Sequence, residues 1–200
     1  QPIGRRTMTD WGLNDWWADL PEEKYWIEVR DSSVDECGFV IFSHRRESWS
    51  YRMVHYVKPG DTVFHYLTND ASDFPMSFVG RSKVSDNPIE ESEDTEGNPA
   101  WVLQLTDREI FKNPITLSSL RTKENEILNL KIELQNNIDG STYFPFMVPH
   151  ANGMRPQVMY FGKLPADLAK LICPDTKTSP NDPLLTLSND LLLENYFLSE

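Results

Sequence analysis

Five short runs rich in β-branched and aromatic residues follow one another along the chain: KYWIEVR (24–30), GFVIF (38–42), DTVFHYL (61–67), SFVGRSKV (77–84) and WVLQLTDREIF (101–111). Side chains of that shape suit a pleated, packed surface, and Gly, Pro, Asp or Asn separates the runs, so each predicts a strand. Lys58-Pro59-Gly60-Asp61 reads as a tight turn feeding the third strand, with Pro59 presetting φ and Gly60 able to take positive φ. Residues 85–100 are polar and acidic with two prolines, which predicts a mobile loop. Later the period lengthens. ENEILNLKIEL (124–134) spaces Ile127, Leu128, Leu130, Ile132 and Leu134 for a helix, although its alternation also permits a strand. QVMYFGKL (157–164) predicts one more strand, and PADLAKLI (165–172) a short helix with proline at its start.

Upstream, WGLNDWWADLP (11–21) places Trp11, Leu13, Trp16, Trp17 and Leu20 as a short amphipathic helix would, its apolar side toward the main core. Residues 1–7 are set aside as a cloning remnant, since Met8 is a plausible start. The expected organisation is an N-terminal helical segment (8–23), one main domain (24–172), and a linker with a C-terminal segment (173–200) that packs back or begins a further part of a longer protein. Strands first and helices late predict an α+β domain on a twisted, mostly antiparallel sheet or small open barrel with flanking helices.

Composition narrows the function. The chain has 200 residues, 39% of them hydrophobic, enough for one main core. It has no run of roughly 18–20 apolar residues of the kind that spans a membrane, and a cytoplasmic location is expected. Cys37 and Cys173 have neither a disulfide framework nor zinc-site spacing and are expected to be reduced thiols. No metal, cofactor or nucleophile motif is present: His44, His55, His65 and Asp61 lack ligand spacing, and no G-x-S-x-G elbow or phosphate loop occurs. A net charge of −12 argues against coating nucleic acid by bulk charge. The exception is FSHRRESWSYRM (42–53), where Arg45, Arg46 and Arg52 stand among Phe42, Trp49 and Tyr51; it predicts one positive face on an acidic body.

The order of these pieces resembles the EVE-like members of the PUA-like fold group, which includes the YTH domains and the base-reading domains of modification-dependent restriction systems. Tyr25-Trp26-Ile27 is similar to the group's aromatic opening, and GFVIFSHRR (38–46) to its glycine, strand and aromatic-serine turn. VKPGDTVFHYL with FVGRSKV (57–67, 78–84) is similar to its central turn and strand pair, with Arg81 and Lys83 where a small and a variable residue are more usual. YFPFMVPHANGMRPQVMYFGKLPADLAKLI (143–172) resembles the closing segment of EVE-like domains fused to HNH nucleases.

The resemblance covers roughly residues 25–172. It implies a PUA-like fold, no catalysis within the domain, and recognition of a modified base flipped into an aromatic pocket. Such a base needs π-faces, hydrogen-bonding groups for its Watson–Crick edge, and cations for the flanking phosphates. On the family pattern Phe42, Ser43, Trp49 and Tyr51 line the pocket, with Tyr66, Asn69, Asn152 and Gln157 as further candidates. Arg45, Arg46, Arg52, Arg81 and Arg155 are the expected phosphate contacts. The expected function is a specificity module for DNA with a methylated or hydroxymethylated base, serving a restriction or defence protein with a fused or associated nuclease. Modified RNA is a variant of that reading. The rivals are a protein-interaction domain with an acidic surface and a small enzyme acting on a nucleotide.

Overall fold

The computed structural model describes residues 15–31, 33–45, 49–68, 75–94, 96–151, 153–157 and 160–173. Six strands form one curled sheet: β1 (Tyr25–Arg30), β2 (Val40–His44), β3 (Thr62–Leu67), β4 (Ser77–Glu93), β5 (Pro99–Thr116) and β8 (Phe161–Lys163), in the order β2-β5-β4-β3-β1-β8. A two-stranded ribbon pairs β6 (Phe146–Met147) with β7 (Arg155–Pro156). The helices are α1 (Trp49–Arg52), α2 (Leu117–Arg121), α3 (Glu124–Asn137) and α4 (Ala166–Ile172). The result is the expected α+β arrangement, a sheet curled into a half-barrel with flanking helices.

β3 lies inside the sheet with all six residues buried, which is why it reads as a nearly continuous apolar run. It pairs antiparallel with β4, Phe64 opposite Arg81, as the neighbouring runs predict. Its other neighbour, β1, is parallel, Ile27 opposite Phe64. The intervening β2 and α1 supply the long crossover that a parallel pair needs. Alternation then sorts the side chains. Trp26, Val63 and Val84 join Ile41, Leu103 and Phe161 in one core, while Ile27, Phe64, Tyr66 and Phe78 meet α2, α3 and α4 through Leu120, Ile127 and Leu168 in another.

The Lys-Pro-Gly-Asp turn closes with the Asp61 N–H donating to Lys58 O at 3.0 Å, and Gly60 has φ +82°. Asp61 Oδ2 accepts both the Lys58 N–H (3.0 Å) and the Trp26 indole N–H (2.7 Å), so the turn and the Tyr-Trp opening are one buried unit. Thr116 caps α2 by accepting the Ser119 N–H at 3.1 Å.

Two expectations are corrected. Residues 85–93 continue β4 instead of looping: after an irregularity between Val84 and Ile89, residues 89–93 pair with β5, Glu91 opposite Trp101. The backbone ladder needs no favourable side chains once β5 presents an unpaired edge, and Asp94 closes the turn by accepting the Glu96 and Asn98 N–H groups at 2.9 Å. The described part of the N-terminal segment forms turns at residues 16–19 and 21–22, with i→i+3 bonds such as Ala18 N–H to Asp15 O, instead of an α-helix. Trp16 and Trp17 nevertheless dock on the core, Trp17 edge-on to Trp26 at 6.1 Å. The segment 124–134 is helical, with Ile127 buried and Ile132 exposed, so of its two permitted readings the helical period prevails.

Candidate nucleic-acid interface

β2 and β8 are the two edges of the sheet, and α1 with the 3-10 turn after it (Met53–Tyr56) packs across the gap between them. The strand ladder sets what β2 offers there. Arg45 N–H and Phe39 O bond to β5, so by alternation the N–H and C=O of Phe42 point outward, toward β8. Tyr160, just ahead of β8, extends the ladder by accepting the Val29 N–H at 3.0 Å. Its phenol faces the Phe42 backbone across the gap, close enough to feel the Phe42 N–H. Burial, then the Glu28 carboxylate, pushes this phenol above the usual tyrosine range, so it keeps its proton and can also donate.

Ser43 is buried, and its hydroxyl donates to the Tyr51 carbonyl at 2.7 Å, fixing the start of α1 against the end of β2. The Tyr51 ring stands edge-on to His44 at 5.6 Å and remains partly exposed. Phe42, Ser43 and Tyr51 are thus brought together, with Arg45 and Arg52 flanking them. Arg45 reaches Glu91 at 3.4 Å, both side chains largely in solvent, and His44 faces Asp94 at 3.6 Å. The acidic part of β4 therefore lies one strand away from the basic stretch, and exposed pairs of this kind contribute at most about 1 kcal/mol.

The remaining candidates are dispersed. Tyr66 is buried on the helix-covered face, 5.0 Å from Phe78, with its hydroxyl unpartnered among the described residues; the structure does not bring it to the β2 edge. Arg81 is also on that face, its Nε donating to Glu109 at 2.6 Å. Gln157 donates its N–H to Pro145 O, and Arg155 is exposed on β7. Arg46, Asn69, Asn152 and the Trp49 side chain lie outside the described residues.

Sequence reasoning missed Tyr160, which reads as one more core aromatic on a strand. It also missed the anchor that sets β2 in place. Glu28, His65 and Ser82 form a buried chain: Glu28 Oε2 is 2.7 Å from His65 Nδ1, and His65 Nε2 is 2.9 Å from Ser82 Oγ. Their order matches that of a Ser-His-acid nucleophile site. Here all three are at most 1% exposed, and the Ser82 hydroxyl donates to Gly38 O at 2.8 Å. A nucleophile must meet its substrate, whereas this hydroxyl is sealed in and engaged, so the chain acts as a strut tying β1, β3 and β4 to the segment that leads into β2. Gly38 has φ +89°, and a Cβ there would stand 2.8 Å from Ser82 Oγ and 3.1 Å from His65 Nε2. The glycine ahead of the FVIFS strand is thus a packing requirement. Among the described residues no group of three His, Cys, Asp or Glu side chains could hold a metal, and no helix is long and apolar enough to cross a membrane.

No protein-family model matches the chain, and no curated protein matches it. Solved structures do. The N-terminal domain of Staphylothermus marinus McrB is similar over 86% of this chain and 98% of that one, with 14% identity and a TM-score of 0.48. A Rhodopseudomonas palustris protein determined by NMR is similar over 79% of this chain and 99% of that one, with 15% identity and a TM-score of 0.43. An Agrobacterium tumefaciens protein is similar over 78% and 99%, with 15% identity and a TM-score of 0.42.

Proposed function

We propose that the protein is a non-catalytic recognition module for DNA carrying a methylated or hydroxymethylated base, which is turned out of the duplex and received at the open edge of β2. The observation that carries this reading is the outward-facing Phe42 backbone beside a protonated phenol and a partly exposed aromatic. A base edge needs fixed donors and acceptors next to a π-face, and the outward Phe42 N–H and C=O beside the partly exposed Tyr51 ring support that reading. Phe42, Tyr51 and Trp49 are the stacking candidates. The outward Phe42 N–H and C=O and the Tyr160 phenol are the hydrogen-bonding ones, while Ser43, buried with its hydroxyl given to Tyr51 O, positions the turn and is not available to a base.

The test is binding to matched duplexes bearing different methylated and hydroxymethylated bases, with an unmodified duplex as reference. One modified duplex should bind preferentially. Trp49→Ala should weaken that complex by more than about 1 kcal/mol, the lower end of base–aromatic stacking, with little change in melting temperature. Tyr160→Phe, which keeps the ring, should reduce discrimination. Equal binding to every duplex would overturn the base-reading proposal.

Arg45, Arg46 and Arg52 are proposed to hold flanking phosphates. Each changed to Ala should weaken modified and unmodified DNA by similar factors and flatten the log-affinity against log-salt slope by roughly one for each phosphate no longer held. Glu91→Gln, which frees Arg45, should move affinity the opposite way. A triple arginine variant that binds as well as the parent at low and moderate salt would favour the protein-interaction reading. One observation supports that rival: residues 89–93 pair only with β5 among the described residues, leaving an acidic strand edge for a basic partner.

A further inference from the structure

On the helix-covered face, away from the β2 edge, the start of β1, the start of β3, the middle of β4 and α4 enclose a cleft of about 270 Å³. Four cations line it, Lys24, Arg81, Lys83 and Lys170, and no described lining residue is acidic. Its apolar wall is Tyr25 and Phe64, rings 6.3 Å apart. In a protein of net charge −12 such a grouping is against the overall balance. Two of the four cations are paired with carboxylates from outside the lining, and Lys83 is not. Arg81 reaches Glu109 and Lys170 reaches Asp167 (2.9 Å), but Lys83 meets only neutral oxygens in its hydrogen bonds, Thr62 Oγ1 at 2.7 Å and Gly60 O at 3.4 Å. Burial first, then repulsion from Lys24 and Arg81, holds the Lys83 ammonium below the usual lysine range, with Asp107 and Asp61, each next in sequence to a residue paired with Lys83, opposing. Thr62 accepts from Lys83, so its own O–H remains available to donate.

We infer that this cleft is an anion site for a phosphate group, held by Lys24, Lys83 and Arg81 with the Thr62 hydroxyl as a neutral donor. Phosphate suits it because several oxygens can take charge-assisted bonds from different directions at once. Two lysines and an arginine, reaching in from β4 and from the residue ahead of β1, converge on a tetrahedral anion better than on a planar carboxylate, which one arginine would clamp alone. The site goes beyond base reading: it is on the opposite face of the sheet and uses none of the β2 residues.

The probe is inorganic pyrophosphate, titrated at constant ionic strength against sodium chloride while backbone amide shifts are followed by NMR. Saturable shifts centred on Lys24, Thr62, Arg81, Lys83 and Lys170 are expected, with Lys83→Gln and Lys24→Gln each weakening binding by about tenfold, the lower end of a charged hydrogen bond. Lys24→Gln leaves the Lys83–Thr62 contact in place, so it tests the site even where Lys83→Gln perturbs folding. Competition by a short oligonucleotide would assign the phosphate to a nucleic-acid backbone, and absence of competition to a free phosphate compound; both support the site. Arg45→Ala with Arg52→Ala should leave pyrophosphate binding unchanged, separating this site from the β2 edge. Non-saturating shifts equal to those from chloride, or undiminished binding by both lysine variants, would overturn it.

Discussion

Lys163→Met is expected to destabilise the fold by about 3 kcal/mol or more at pH 7, because it breaks a buried ion pair and leaves the partner's charge behind. Lys163, on β8, is fully buried, and its ammonium has three protons and three acceptors: Glu23 O at 2.8 Å, Tyr25 O at 2.9 Å and Glu23 Oε2 at 3.1 Å. It also stands 5.2 Å from the Trp26 ring and 5.9 Å from Trp16. Glu23 Oε2 in turn accepts the Ala166 N–H at 3.0 Å at the start of α4. One side chain therefore holds the N-terminal tryptophan turn, β1, β8 and α4 together. Methionine fills the space and removes all three bonds.

The same residue gives the prediction a pH signature. Burial outweighs the attraction of Glu23 and brings the Lys163 ammonium down to about 8. Between that value and its higher value in the unfolded chain, the unfolded state holds a proton that the native state has released, so native stability rises with pH. The rise attributable to Lys163 should be about 1 kcal/mol from pH 8 to 9, and Lys83 adds to it with the same sign. At higher pH the slope reverses. Burial pushes the Cys37 thiol up to about 11 and raises the Tyr66, Tyr143 and Tyr160 phenols, so the native state there retains protons that the unfolded state has lost. Denaturation series across this range should show a stability maximum near about pH 9. In Lys163→Met the rise should shrink, so the gap to the parent should widen from pH 8 to 9. A gap that narrows as pH rises would show that Glu23 outweighs burial and holds the Lys163 ammonium above the usual lysine range.

Gly162→Ala is expected to cost about 3 kcal/mol, at the upper end for overpacking a closed core. Gly162 pairs with Ile27 and has the Tyr143 ring laid over it: an added Cβ would collide with Tyr143 Oη and stand 2.8 Å from Cε1 and Cζ. Tyr143 is itself buried and has nowhere to withdraw. Tyr143→Phe in the same chain removes only the hydroxyl, so a partial rescue is expected, read as a coupling in a double-mutant cycle of thermal unfolding. Full additivity would show that the ring is not what meets the new methyl. Because Tyr160 lies two residues upstream on the same edge, the alanine variant should also lose discrimination between modified and unmodified duplexes in whatever fraction remains folded.

The sequence by itself determined the strands whose side chains suit a buried sheet. β1, β3 and the first half of β4 appear near their expected places because aromatic and β-branched runs cannot be hidden any other way. It also determined the tight turn at Gly60 and the helix at α4, where local backbone chemistry decides. The acidic half of β4 was not legible, since its residues disfavour a strand and only the unpaired edge of β5, distant in sequence, makes one. The same holds for the site. Phe42, Ser43 and Tyr51 are near one another in the chain, so local sequence groups them. Tyr160 joins them only because curling the sheet brings its last edge to face β2, more than a hundred residues away in the sequence. Tertiary structure alone decided that Tyr66 belongs beneath the helices, that Glu28, His65 and Ser82 form a sealed strut, and that Lys24, Arg81 and Lys83 converge. Each depends on which strands are neighbours and on which face a residue points to, and both are settled by long-range pairing.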